Sequence, residues 1–115
     1  MSFRILTTTS FDKAAKRLGK KYASFKQDLI AFCQSLENNP MQGAELYPGI
    51  RKIRMEISSK RKGKSGGARV ITFNILVDKA NGDVILLLIY DKNDASTINV
   101  ETVKEIIADL GFDIK

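Results

Sequence analysis

Histidine and tryptophan are absent from this 115-residue chain, cysteine occurs once and proline twice. Each absence excludes something. Without histidine the chain lacks the commonest general base and the commonest metal ligand. The single cysteine, Cys33, allows neither an intramolecular disulfide nor a thiolate zinc site. Catalysis, if present, rests on Lys, Arg, Tyr, Ser, Thr or carboxylates, and no metal or other cofactor is expected. Long apolar runs are missing too. The longest, Val84 to Tyr90, falls far short of the roughly 20 residues of a membrane-spanning helix. The opening residues, MSFRILTTTS, lack the apolar stretch of a signal peptide. The expected setting is a reducing cytoplasm, with no membrane partner.

What is present is an ordinary globular composition, 43% apolar and 28% charged, which argues against disorder. A chain of this length is expected to form one domain, residues 1–115, with a core that needs no staples. The net charge is +6, and its placement is uneven. Residues 51–69 hold eight basic side chains, Arg51, Lys52, Arg54, Lys60, Arg61, Lys62, Lys64 and Arg69, against one acid, Glu56. The rest of the chain balances at eleven basic and twelve acidic groups. Nearly all the excess charge therefore sits in one segment, the footprint of a partner with a phosphate backbone. RNA is the expected partner. The bland alternative is a solvated charged face, but the rest of the chain carries no compensating positive excess.

Periodicity outlines the fold. Phe3 to Leu6 reads as an edge strand. Ser10 offers an N-cap for a helix bearing Phe11, Ala14, Ala15, Leu18 and Tyr22 at helical spacing. Ser24 and Gln27 have capping-box spacing for a second helix, with Phe25, Leu29, Phe32, Cys33 and Leu36 on one stripe. Asn38-Asn39-Pro40 ends it, so a helical hairpin is expected. Residues 41–49 read as a connection. Ile53, Met55 and Ile57 alternate with Lys52, Arg54 and Glu56, a strand with one wet face. Ser58 to Gly67 is a glycine- and lysine-rich loop, expected to be mobile. Val70 to Val77 is β-prone, Asn81-Gly82 suits a type I′ hairpin turn, and Val84 to Tyr90 has the unbroken apolarity of a central strand covered on both faces. Asn99 or Thr97 caps a last helix with Val100, Val103, Ile106, Ile107 and Leu110, ended by Gly111. The predicted order is β-α-α-β-β-β-α, an α+β architecture: a small antiparallel sheet with a helical hairpin and a C-terminal helix.

Lys52 and Arg54 lie two apart on a strand and so share a face. Arg69 opens the next strand across the loop. If those strands pair, three cations converge where phosphates would satisfy them, Arg by bidentate bonds and Lys as a point charge. Arg69 shares parity with Ile71, Phe73 and Ile75, which look like core. Either that face is partly open or the side chain reaches past the strand end. Gly63-Lys64-Ser65 is not a Walker loop, because Ser58 stands where that pattern needs glycine and a strand follows. Tyr90 and Lys92 end the apolar strand and are candidates for nucleotide contact or proton transfer. Cys33, Phe11, Phe25 and Phe32 read as core, and Glu101 and Glu105 as a solvated face. Asp78, Asp83, Asp91 and Asp94 are better explained by turns than by a divalent ion.

The segments LYPGIRKIR, KGKSGGARVITF and LLLIYDKND, in this order of elements, resemble the RelE/HigB-like toxins of bacterial type II toxin–antitoxin systems, nearest the HigB-like branch. The resemblance runs from the first helix to about Val103. It implies a RelE-like fold and a metal-independent endoribonuclease that cuts messenger RNA on the ribosome and is neutralised by a cognate antitoxin. In such enzymes the RNA 2′-hydroxyl attacks the adjacent phosphate while cations stabilise the phosphorane. Carried over by position, the resemblance makes Lys52, Arg54 and Arg69 catalytic-face cations, with Lys92 at a basic position after the fourth strand. Arg51, Lys60, Arg61, Lys62 and Lys64 would hold RNA. Two positions depart from the family pattern. Asn93 stands where the family has its next arginine, and the family's late tyrosine falls close to Asn99, leaving Tyr90 as the substitute. A ParE-like gyrase inhibitor and an RNA- or ribosome-binding module without cleavage are the competing functions.

Overall fold

Alternation of apolar and charged residues from Lys52 to Met55 gives one strand a wet face, whereas the neighbouring strand Ala68–Leu76 has a single charged residue, Arg69, and buries apolar side chains on both faces. The computed structural model describes residues 2–94 and 98–111. In chain order the elements are β1 (Ser2–Thr7), α1 (Thr9–Lys21), α2 (Phe25–Asn38), β2 (Ala44–Tyr47), β3 (Ile50–Met55), a 3-10 turn (Ser58–Lys60), α3, a single helical turn (Gly63–Gly66), β4 (Ala68–Leu76), β5 (Asn81–Asp91) and α4 (Val100–Asp109). The architecture is α+β, as its periodicity implies. Its sheet is mixed, in the order β1-β5-β4-β3-β2. Strands β2 to β5 form an antiparallel meander, while β1, an edge strand as expected, runs parallel to β5. A bidentate Arg4–Asp83 pair at 3.1 and 3.2 Å ties that edge.

Two apolar layers flank the sheet. On one side Phe11, Leu18, Phe25, Phe32 and Leu36 of α1 and α2 pack on Ile53, Met55, Val70, Val84 and Leu86. On the other, Val103 and Ile107 of α4 pack on Ile50, Ile71, Ile85 and Leu87. The unbroken apolar run of β5 follows from burial on both faces. Among the described residues, no helix is long and apolar enough to cross a membrane.

Several local expectations change. The N-cap of α1 is Thr8, whose hydroxyl accepts from the Phe11 amide at 3.0 Å; Ser10 lies inside the helix. Ser24 precedes α2, but its hydroxyl is committed to Asp28 and Ser59, so no capping box forms. Part of the 41–49 connection forms β2. Asn81-Gly82 does not make a type I′ turn: both residues lie in β5, and the reversal uses residues 77–80, closed by Asp78 accepting from the Ala80 amide and the Asn81 side chain. Gly82 is there for close packing, since a Cβ would stand 2.3 Å from the Ile75 carbonyl. Asn99 does cap α4, accepting from the Glu101 amide at 2.8 Å. Its alternative, Thr97, lies outside the described residues.

Candidate nucleic-acid interface

Strand register assembles the site. Arg54 lies directly opposite Arg69 on β4, and Arg69 directly opposite Tyr90 on β5, so the three form one row across three strands. Lys52 stands one step along the same face of β3, opposite Ile71. Tyr90 joins this row because of a bulge. Thr72 pairs with Leu86 and Ile71 with Leu88, which leaves Leu87 as an extra residue in β5. Without that residue, alternation would turn Tyr90 toward α1 and aim Asp91 along the row.

The parity of Arg69 is thereby explained. Arg69 does share a face with Ile71 and Phe73, and α4 covers that face only over Ile50, Ile71, Ile85 and Leu87. Beyond them, among the described residues, the basic end stays open, with Arg69 half-buried and Arg54 exposed. The Arg69 guanidinium is held by the carbonyls of Ser65 at 2.9 Å, Ala68 at 3.2 Å and Lys64 at 3.4 Å. These bonds orient it without neutralising it. Among the described residues, no carboxylate lies within ion-pairing distance of Lys52, Arg54, Lys64 or Arg69. Two arginines directly opposite each other on paired strands destabilise the sheet. An anion would relieve that repulsion.

A shallow groove of ≈ 370 Å³ follows the open edge of β3 and is lined by Lys52, Arg54 and Lys64 together with Gln42 and Gly43. Three cations and no carboxylate line it, so it suits a phosphate chain. Burial pushes the Tyr90 hydroxyl above its usual pKa, and the nearby Arg69 offsets part of that rise. Tyr90 therefore keeps its proton at neutral pH and can give one up.

The segment 58–67 is anchored by side-chain bonds and contains a 3-10 turn and the single turn α3. Asp28, its carboxyl held below the usual range against burial by bonds from Ser24 and Ser58, takes the Ser58 amide and hydroxyl at 2.8 and 2.6 Å. Ser59 is bound by Ser24 at 2.8 Å. Lys60 turns inward and donates to Asp91 at 2.7 Å, to the Gly66 carbonyl at 2.7 Å and to the Gly67 carbonyl at 3.3 Å. Its side chain is 6% exposed and that of Asp91 fully buried. Asp91 also accepts from the Tyr22 hydroxyl and the Asn93 amide. Burial alone would raise the Asp91 carboxyl; the bonds from Lys60, Tyr22 and Asn93 overcome this and bring it to about 2.

Lys60 is thus a structural cation, and its expected role in holding RNA is withdrawn, since each of its ammonium hydrogens has an internal acceptor. Arg51 is withdrawn for the same reason. Its guanidinium donates to the carbonyls of Gln42 and Gly43, both at 2.8 Å, and pairs with Glu45 at 3.6 Å. It also faces the opposite side of β3 from Lys52 and Arg54. Arg61, Lys62 and Lys64 remain exposed. Lys92 is exposed on the turn after β5, and its amide donates to the Gly67 carbonyl at 3.1 Å.

The Asp91–Lys60–Tyr22 cluster was missed in sequence. The available signal was a polar residue, Asp91, ending a strand otherwise buried on both faces. Asp78 and Asp83 hold a turn and an arginine, and the described residues contain no acidic cluster fit for a metal ion. No protein-family model matches the chain.

Proposed function

We propose that this chain is a RelE/HigB-like toxin: a cytoplasmic, metal-independent endoribonuclease that cuts messenger RNA on the ribosome and is neutralised by an antitoxin. The observation that carries this reading is the Arg54–Arg69–Tyr90 row, beside Lys52 and Lys64 and without a carboxylate partner. The sequence resemblance adds the reaction class. In that reaction the O2′–P bond forms and the P–O5′ bond breaks. The 2′-hydroxyl loses a proton and the departing 5′-oxygen gains one. Arg54, Arg69 and Lys52 would neutralise charge building on the phosphorane. Tyr90, protonated and next to Arg69, would give its proton to the 5′-oxygen, leaving a phenolate that the guanidinium stabilises. The 2′-proton needs a separate acceptor, which solvent, the message, the ribosome or Glu56, a carboxylate in the lining of a pocket shared with Arg54 and Lys64, could supply.

One observation favours a second reading, an RNA-binding module that has lost cleavage. Asn99, near the place of the family's late tyrosine, spends its side chain on capping α4. Mapping message 3′ ends after tightly controlled expression separates the two. New ends within translated codons, absent with Arg69→Ala, support the nuclease. Growth arrest with intact messages and poisoned gyrase would point to ParE-like inhibition. Arrest without either lesion would favour the binding module.

A further inference from the structure

Between α2 and the end of β3 lies another cavity, of ≈ 270 Å³. It exists because β2 pairs with β3 only from Ile50 to Lys52. Among the described residues no strand lies beside Ile53 to Met55 on that edge, and α2 contributes only the small side chains Ala31 and Ser35 beside Phe32 and Asp28. Phe32 and Met55, both buried, give the cavity an apolar floor. Gln42, Arg54 and Lys64 line this cavity and the phosphate groove alike, so the two adjoin. The volume is close to the roughly 300 Å³ at which ligand pockets begin, which suits one flat ring system.

Most polar groups around this floor are committed. Asp28 accepts from Ser24 and Ser58. The Ser35 hydroxyl donates to the Phe32 carbonyl at 2.7 Å and accepts from the Gln42 side-chain amide at 3.1 Å. That amide also donates to the Asn39 carbonyl at 3.0 Å, which fixes its orientation. Glu56 differs. It follows β3 directly, its side chain is exposed, and among the described residues its carboxylate has neither a hydrogen-bond partner nor an ion pair. An acid kept only to balance charge would pair with Arg54 or Lys64, which share its pocket, and it pairs with neither. The pocket therefore offers a ligand one uncommitted pair of acceptor oxygens above an apolar floor, with two cations in the same lining.

We infer that this pocket takes a guanine base next to the scissile phosphate, with the Glu56 carboxylate accepting from the guanine ring N–H and the 2-amino group. This deepens the proposed function and rests on its choice of single-stranded RNA as partner. A carboxylate can accept two parallel hydrogen bonds. Guanine alone among the four bases presents two adjacent donors on its Watson–Crick edge. Adenine and cytosine set a ring acceptor beside their amino group, and uracil flanks its one N–H with carbonyls. Each of these would bring a lone pair against the carboxylate. Single-strand readers use this edge because the bases are unpaired. The remaining guanine acceptors, its carbonyl and imidazole nitrogen, take arginine or lysine as their usual partner, and Arg54 and Lys64 supply both types. Glu56 is thereby assigned to the base, and the 2′-proton goes to another acceptor.

The test is binding of short oligouridine strands carrying one central guanosine, adenosine, cytidine or inosine, read by fluorescence anisotropy, with 2′-O-methyl sugars that prevent cleavage. The guanosine strand is expected to bind at least about fivefold tighter than the rest, the discrimination of one bidentate contact. Inosine, which lacks only the 2-amino group, should lose most of that preference without any change to the protein. Glu56→Gln should bind the adenosine or cytidine strand at least as well as the guanosine one, because an amide matches an edge with one donor and one acceptor. Lost stability alone would not invert a preference. Equal binding of all strands, inosine equal to guanosine, or a guanosine preference that survives Glu56→Gln would each overturn the inference. Message cleavage is scored separately. Cleavage slowed by Glu56→Gln equally beside all four bases would make Glu56 the proton acceptor and overturn the inference too. Guanosine preference with no message cleavage would refute the proposed nuclease and leave the pocket standing. Absence of any single-strand binding would refute RNA itself as the partner, and the pocket's role with it.

Discussion

At the residue scale the strongest claim concerns Arg69. Its guanidinium is aimed by the Ser65 and Lys64 carbonyls and faces Arg54 without a counter-charge. Arg69→Ala is expected to lower the single-turnover cleavage rate on ribosomes by about 10²–10³, the usual cost of losing one charge-stabilising group in a transition state. Arg69→Lys should recover only part of that rate, because an ammonium keeps the charge and loses the fork. Unaltered cleavage in Arg69→Ala would refute the placement of the scissile phosphate on this row. Tyr90→Phe removes the proton and little else. It should cut the rate by at least about 10² while RNA affinity stays within twofold. Because burial raises the Tyr90 pKa, a phenol acting as acid keeps its proton through neutral pH. Activity that depends on it should fall only on the far alkaline side, and Tyr90→Phe should abolish that fall. The basic pair and Arg69 were legible from strand parity and charge alone. That Tyr90 shares their row was not, because it depends on the Leu87 bulge, and an extra residue in one strand leaves no mark in an apolar run.

At the scale of elements, the 58–67 segment shows the limits of composition. A composition rich in glycine and lysine reads as an unanchored loop, yet this segment is bonded at Ser58 and Ser59, through Lys60 to the Gly66 and Gly67 carbonyls, and at the Ser65 carbonyl. Gly67 is there for close approach rather than freedom: a Cβ would lie 2.0 Å from the Met55 carbonyl. Gly67→Ala is therefore expected to cost about 1–3 kcal/mol in urea unfolding, and a neutral result would mean that the loop does not pack on β3. Charge runs likewise do not distinguish a lysine pointing out from one pointing in, which is why Lys60 looked like Arg61 and Lys62. Lys60→Met should destabilise the fold by about 3 kcal/mol, since it leaves the Asp91 carboxylate buried with its main cation gone. Linkage gives the pH signature. Asp91 titrates at about 2 when folded and at about 3.9 in an unfolded chain. Its contribution, on the order of 2 kcal/mol, is complete above about pH 4 and disappears as pH falls through about 2. The gap in unfolding free energy between parent and Asp91→Asn should narrow over that window. A gap that is constant from neutral pH down to about 2 would mean that the carboxylate is not selectively held by Lys60. In the same way, Asn81-Gly82 mimics a turn signal because both uses of glycine, positive φ and close packing, leave the same letter in the sequence.

At the scale of the whole molecule, the long helices and β3 were legible from their periodic stripes and β5 from its unbroken apolar run, while β2 and the parallel pairing of β1 were not, the latter because it joins residues some 80 apart. That pairing puts α1 and α2 on one side of the sheet and, among the described residues, leaves the other side to α4, which packs over Ile50, Ile71, Ile85 and Leu87 and not over the Arg54–Arg69 end. The uncovered end is where the single strand would lie. The number of cations available there is smaller than charge counting suggests. Removing Arg51 and Lys60 from the eight basic residues between 51 and 69 leaves Lys52, Arg54, Arg61, Lys62, Lys64 and Arg69. Six phosphate contacts predict a log K against log [salt] slope of about −4 for single-stranded RNA, at roughly −0.7 per contact. A slope near −1 would exclude backbone engagement by the segment. The two classes of cation can also be told apart within one experiment. Arg61→Gln, which touches an exposed side chain, should flatten the slope by about 0.7 and leave stability within about 0.5 kcal/mol. Lys60→Met should do the reverse, lowering stability with the slope unchanged under conditions where the variant stays folded. If Lys60→Met changed the slope as Arg61→Gln does, the inward salt bridge would not persist in solution and Lys60 would return to the RNA-binding set.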